Sequence, residues 1–269
     1  MTTGRKSASA ASQPAFTLIE LLATVVILAI VLGLCTQLLN TAQVALGWSE
    51  KRLSADGEGR RLLGLMERDF RAMILHPQAE VDFRANQGND SLAFLAMRPG
   101  FDAAGVVTSR QASWTEYREI GSAGQLGRGS TGFEFSGTET LPWGRKPAAV
   151  PNPQMLAFSK AIVRWEFECL ILDGTQLIHS QQLPADREKL LGWVVTIAAT
   201  DETSLRPLGA DAIRRIADVL PDASSSEDTA AVWQQRLLRD AGTADKRLAQ
   251  VLSSLRIYQQ TLLTPTDDF

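Results

Sequence analysis

One long apolar run opens this chain, and two shorter-period patterns follow it. From Leu18 to Leu39 the sequence reads LIELLATVVILAIVLGLCTQLL. These 22 residues carry one charge, Glu20, and three further polar side chains, Thr24, Thr36 and Gln37. As an α-helix the run is about 33 Å long, enough to cross the hydrocarbon core of a bilayer. No proline follows until Pro77, so the helix is expected to continue to residue 76, polar on one face after Asn40. Leu62, Met66, Phe70 and Met73 recur at helical spacing, with Arg60, Arg61, Arg68 and Asp69 off that stripe. This is the pattern of a helix packed on a sheet. Gly57 and Gly59 interrupt the run and predict a bend or break, at about 1 kcal/mol each relative to alanine.

Past Pro77 the apolar spacing becomes that of strands. Ser91 to Met97 and Trp114 to Ile120 are candidate strands, and Ile162 to Leu172 is the clearest. There Val163, Trp165, Phe167, Cys169 and Ile171 alternate with Arg164, Glu166 and Glu168, which predicts a half-buried strand with one wet face. Asp173-Gly174 is a tight-turn signal, with Gln176 to His179 returning as a hairpin partner. Leu190 to Thr200 and Ile257 to Leu263 complete the candidate strands. Ala210 to Leu220, Thr229 to Leu238 and Asp245 to Leu255 are candidate helices. Ser136 to Ser159 holds Pro142, Pro147, Pro151 and Pro153 and reads as a long exposed loop. The expected fold is α+β. A long N-terminal helix, transmembrane in its first half, packs on an antiparallel β-sheet carrying extra C-terminal helices. The expected segments are a leader at 1–15, a membrane helix at 16–39, its soluble continuation at 40–76 and a globular head at 77–269.

Composition narrows the chemistry. Of 269 residues, 27 are Lys or Arg and 30 are Asp or Glu, a net charge of −3 that points to no nucleic-acid partner. Two cysteines and two histidines leave too few ligands for a four-cysteine or multi-histidine metal site, and no cofactor is expected. Cys35 and Cys169 read as free, buried thiols. His179 beside Ser180 lacks a nucleophile-elbow motif and reads as a strand-end histidine. His76, before Pro77, reads as a helix-end cap. The glycines at 121, 124, 127 and 129 read as turn residues, not a phosphate cradle. Asp201-Glu202 and Asp267-Asp268 read as turn or tail acids, since neither has the alternating ligands of a calcium loop. Arg60-Arg61, Arg145-Lys146 and Arg214-Arg215 read as solvated pairs, and Trp143 as an exposed aromatic suited to protein contact.

Three readings compete for the N-terminus. A secretory signal has a shorter apolar region closed by a small-residue cleavage site, which is missing here. A plain signal anchor explains the length and the basic flank of Arg5 and Lys6, but not Glu20, since a charge inside a membrane is a functional candidate. The third reading explains both. The stretch Gln13-Pro14-Ala15-Phe16-Thr17-Leu18-Ile19-Glu20-Leu21-Leu22 resembles the type IV prepilin cleavage and methylation motif. The resemblance implies cleavage by prepilin peptidase between Ala15 and Phe16 and N-methylation of Phe16, with Thr17 and Leu18 supporting the motif. Glu20 would neutralise the N-terminal amine of a neighbouring subunit. Ala15 stands where the family usually has glycine. Losing Arg5 and Lys6 with the leader takes the net charge from −3 to −3 − 2 = −5.

The resemblance extends in part into the head. Tyr117-Arg118-Glu119-Ile120, Leu126-Gly127-Arg128 and Arg68-Asp69-Phe70 are similar to segments of J-type minor pseudopilins. The three C-terminal helices depart from simple pseudopilins and resemble the layout of Verru_Chthon cassette protein C. The expected protein is therefore a structural minor subunit of a type IV pilus or type II secretion pseudopilus, and not an enzyme. It would sit in the bacterial inner membrane as a single-pass protein, N-terminus cytoplasmic and head periplasmic, able to be extracted into a filament. Its partners would be prepilin peptidase, other pilin or pseudopilin subunits through the N-terminal helix, and the inner membrane, with no small-molecule substrate. A DNA-binding competence-type minor pilin and a membrane-anchored periplasmic enzyme stand as alternatives.

Overall fold

The computed structural model describes residues 17–101, 105–107, 112–121, 124–133, 155–158, 160–205, 210–224, 227–240 and 246–264. Two units are distinguished, Met1–Ser49 and Glu50–Phe269. The helix α1 spans Leu18–Phe70 without a break, so neither Gly57 nor Gly59 interrupts it. It stops at Phe70, before the expected boundary at residue 76. The chain then turns, and Met73 bridges to Ala96, with Ile74 N–H donating to the Leu95 carbonyl at 2.9 Å. Gly59 has a packing reason. A Cβ there would lie 2.7 Å from the Tyr258 ring, whose hydroxyl bonds Asp56 one turn earlier. Around Gly57 the space is open.

Among the described residues, the second unit holds two antiparallel sheets. The first runs in the order β1 (Val81–Arg84), β2 (Ser91–Ala96), β3 (Ser113–Ile120), β4 (Gln125–Gly132) and β5 (Leu156–Ala157). The second has the order β7 (Gln176–Ser180), β6 (Ile162–Asp173), β8 (Leu190–Ala199) and β9 (Arg256–Leu263). The Asp173-Gly174 hairpin forms as the sequence indicates, with Gly174 at φ +64°. Three strands lie outside the sequence expectations. β1 is too short to show a period. β4 reads QLGRGSTG, and its glycines are strand residues; at Gly127 a Cβ would meet Ile120 at 2.7 Å. β5 falls within the expected loop, whose four prolines lie outside the described residues.

One core joins α1 to both sheets. Leu62, Met66 and Phe70 share it with Phe94 and Tyr117 of the first sheet and Trp165, Phe167 and Trp193 of the second. The Phe70 ring sits 5.0 Å from Phe94 and 6.1 Å from Trp193. The opposite face of the second sheet is covered too. α3 (Ala210–Asp218), α4 (Thr229–Asp240) and α5 (Lys246–Ser254) supply Ile216, Trp233, Val251 and Leu252 to a second core with Val163 and Ala198. A bulge between Ile162 and Arg164 turns Val163 to this side.

The expected wet face of β6 is therefore buried: Arg164, Glu166 and Glu168 are each 2% exposed or less. Each is partnered. Arg164 pairs with Glu166 and, at 2.6 Å, with Asp222, and lies 6.0 Å from the Trp233 ring centre. Glu168 accepts from the Thr229 hydroxyl at 2.7 Å. Asp90 ties the two sheets together by accepting the Phe167 and Asn86 N–H groups at 2.9 and 3.0 Å. Burial pushes the Asp90 and Glu166 carboxyls up, and the Asp90 charge raises Glu166 further.

Two expectations follow. Gly57→Ala should stabilise the head by up to about 1 kcal/mol through helix propensity. Gly59→Ala should destabilise it by about 1–3 kcal/mol through overpacking against Tyr258; urea unfolding of both variants reads the opposite signs. Asp90 and Glu166 hold protons more tightly folded than unfolded. Their contribution is complete below the ordinary carboxylate range near about pH 4 and is lost as pH rises. Glu166→Gln should thus gain stability relative to wild type between about pH 5 and pH 8, and a pH-independent difference would count against this account.

Candidate functional site

The first described residues of α1 form a reciprocal cap. Thr17 precedes the helix, and its hydroxyl accepts the Glu20 N–H at 3.4 Å. The Glu20 carboxylate reaches back to accept the Thr17 N–H at 3.0 Å and its hydroxyl at 3.2 Å. This is the T-x-x-E capping box, which satisfies two otherwise orphaned donors, and its negative charge complements the positive end of the helix dipole. Leu18 is 86% exposed. Ala15 and Phe16 lie outside the described residues.

From Leu18 to Leu39 every large apolar side chain is exposed on the chain. The most apolar 18-residue window has a mean hydropathy of 2.8 and no part of it is buried. The polar side chains within the run are arranged for such a surface. Thr24 and Thr36 each donate a hydroxyl to the Leu21 and Leu32 carbonyls at 2.8 Å, leaving no unpaired O–H toward an apolar medium. Cys35 is exposed here rather than buried as expected; Cys169 is buried, and burial pushes its thiol up to about 12.

In the second unit, three segments that are far apart in sequence converge at the end of α1. Asp69 has no exposed surface. Its Oδ1 accepts from Arg98 Nη1 at 2.5 Å, while Oδ2 accepts from Arg128 Nε and the Tyr117 hydroxyl, each at 2.5 Å. Tyr117 comes from β3, Arg128 from β4, and Arg98 from the bend after β2. Burial, then the Asp69 charge, hold the Tyr117 hydroxyl well above its ordinary value. Burial alone would lower Arg128, but its bond to Asp69 together with the Tyr117 and Asp69 charges raises it. The sequence pointed to Asp69, Tyr117 and Arg128 through their resemblance segments. Nothing in its pattern marked Arg98.

Other candidates are held in structural pairs. His179 Nδ1 lies 3.2 Å from Glu168 Oε2, and Ser180 bonds the Gln182 backbone. His76 is not a helix cap: it lies past the end of α1, and its Nδ1 accepts the Gln78 N–H at 3.1 Å. Asp201 caps the short helix α2 (Glu202–Leu205) by accepting the Ser204 N–H at 2.8 Å. Burial works to raise that carboxyl, but its bonds to Ser204 and Thr203 hold it below the ordinary value. Among the described residues, no group of three or more His, Cys, Asp or Glu is placed to hold a metal ion. A cleft of about 450 Å³ is lined by Arg84, Arg118, Arg164 and Arg214 together with Glu119 and Asp218. Arg84, Arg118 and Arg164 pair with Asp82, Glu116 and Asp222 at 3.0, 2.6 and 2.6 Å. Arg145-Lys146, Trp143 and Asp267-Asp268 lie outside the described residues.

The Asp69 cluster gives a graded expectation. Asp69→Ala strands two cations and a buried hydroxyl and should cost about 3–5 kcal/mol. Tyr117→Phe removes one bond to a charged acceptor and should cost about 1.5–3 kcal/mol. Thermal and urea unfolding of the two variants tests the order.

Residues 11–36 match the family model of the prokaryotic N-terminal methylation motif. That span contains Ala15, Phe16, Thr17, Leu18 and Glu20 and ends within the apolar run. No curated protein sequence matches the chain. The N-terminal part of the chain is thus type IV prepilin-like, its motif leading into an exposed apolar helix.

Proposed function

We propose that the protein is a non-enzymatic minor subunit of a type IV pilus or type II secretion pseudopilus. Prepilin peptidase cuts between Ala15 and Phe16, and the new N-terminus is methylated. Residues 16–39 cross the bacterial inner membrane once, with the leader cytoplasmic and the head periplasmic. The helix then joins those of other pilin-like subunits, where Glu20 meets a neighbour's N-terminal amine. The match of residues 11–36 carries this reading. The exposed, hydroxyl-satisfied surface of Leu18 to Leu39 supports it, because such a surface suits lipid or neighbouring helices.

The J-like minor assignment draws on the head. The segments that resemble J-type pseudopilins supply Asp69, Tyr117 and Arg128, which meet in one buried cluster. For a DNA-binding role, the arginines at the cleft are the natural counterions to phosphate, but three of them are neutralised by carboxylates within 3.0 Å.

Processing is tested by intact mass and N-terminal peptide mass spectrometry on protein from membranes containing active prepilin peptidase. The expected chain begins at N-methylated Phe16. A retained leader under those conditions overturns the proposal. Glu20→Val should still be cleaved, yet its recovery with co-expressed pilin subunits should fall at least about tenfold.

A further inference from the structure

The second sheet ends on an unguarded strand. β7 bonds to β6, and among the described residues no strand lies along its other edge. The hairpin closes at the Asp173–Gln176 pair around Gly174 and Thr175, so Gln176, Ile178 and Ser180 aim their backbone groups at β6. Leu177 and His179 aim theirs outward, and among the described residues no hydrogen bond reaches those groups. The side chains leave the edge open as well. Leu177 is 60% exposed, Ile178 is 40% exposed, and Leu172, opposite Leu177, is 37% exposed. From Gly174 to Gln182 the chain holds no Lys, Arg, Asp, Glu or Pro, the residues that ordinarily keep an edge strand from pairing. The other end strands are different. β1 carries Asp82 and Arg84, and β5 has two residues. β9 begins at Arg256 and is tied to α1 through Tyr258 and Gln260.

We propose that β7 pairs with β7 of a second copy of the chain, antiparallel about a twofold axis at Ile178, joining two four-stranded sheets into one of eight strands. The register follows from the outward groups. With Ile178 facing Ile178, each Leu177 faces a His179, and these two pairs exchange four backbone hydrogen bonds. A shift by one residue sets outward groups against inward ones and loses the bonds, and a shift by two leaves one facing pair within the strand. The same register suits the side chains. Ile178 packs on Ile178, Gln176 meets Ser180, and no Lys, Arg, Asp or Glu falls in the contact, so identical chains meet without like-charge repulsion. Each Leu177 stands opposite an imidazole and diagonal to the other Leu177, which covers apolar surface that water otherwise meets. Five residues a side bury on the order of 600–900 Å² in total, the size of a reversible contact. The inference uses the second unit alone and goes beyond the proposed function, whose failure would leave it standing.

Disulfide trapping of the full chain in its native membrane tests it, in a Cys35→Ser background that leaves only the buried Cys169. Copper(II)–phenanthroline takes two electrons from a pair of thiols, two protons pass to solvent, and an S–S bond forms. Facing Ile178 positions make a non-hydrogen-bonded pair with Cα atoms about 4.5 Å apart, within reach of a disulfide. Ile178→Cys should therefore give a dimer of twice the monomer mass. Gln176→Cys alone should cross-link at least about tenfold less, because its two copies stand about 13 Å apart along the strand. Mixed with Ser180→Cys chains, it should form the mixed dimer. Leu177→Pro removes an outward N–H and leaves the β6 ladder intact, so added to Ile178→Cys it should cut the dimer at least about tenfold at matched maleimide reactivity. Equal cross-linking of the three single-cysteine chains overturns the proposal, as does no dimer from reactive Ile178→Cys thiols or an undiminished dimer with Leu177→Pro. A disulfide formed only with a different protein also overturns it.

Discussion

A carboxylate sealed from water at the end of a 53-residue helix is the constraint on which the head depends. Asp69 on its own would be intolerable there, since a buried charge without partners costs several kcal/mol. Three donors from β3, β4 and the bend after β2 make it tolerable, and each is positioned by the sheet that carries it. The bonds work in both directions: the sheet satisfies the helix's charge, and the charge ties the last turn of the helix to the sheet. Phe70, the next residue, then falls between Phe94 and Trp193, bringing aromatic groups of both sheets into one core. Apolar packing there is non-directional, and the carboxylate supplies the direction.

The second sheet follows a related logic on its far side. β6 presents Trp165, Phe167 and Cys169 to the α1 core and Arg164, Glu166 and Glu168 to the helical layer. That layer meets the charges with specific partners: Asp222 for Arg164, Thr229 for Glu168, and the Ala223 N–H for Glu166 at 3.4 Å. The C-terminal helical layer is therefore held by polar anchors at Asp222, Ala223 and Thr229 and by the apolar Trp233, Val251 and Leu252.

Much of this was legible from residue spacing. The apolar run, the Asp173-Gly174 hairpin, the alternation of β8 and the last strand all express one dominant period, and all form. The failures have physical causes. The alternation of charge along β6 identified its two faces but could not reveal that helices 40 or more residues later would roof the polar one. β4 was hidden because glycine has low strand preference, and Gly127 is there to make room for Ile120 rather than to turn. Gly59 looked like a helix breaker and is instead the seat of Tyr258. At the candidate site, Glu20 and Thr17 were marked by the motif, and their reciprocal bonds follow from the T-x-x-E spacing. Arg98 left no trace, since a lone arginine in a bend has no period.

The Asp69 cluster has a mechanical meaning as well. Arg98, Tyr117 and Arg128 grip a single aspartate in the last turn of α1 from β3, β4 and the bend after β2. A pull on that turn loads the three bonds side by side rather than unzipping them one after another. The end of the helix is thus riveted to the first sheet at one point, by three fasteners that must fail together.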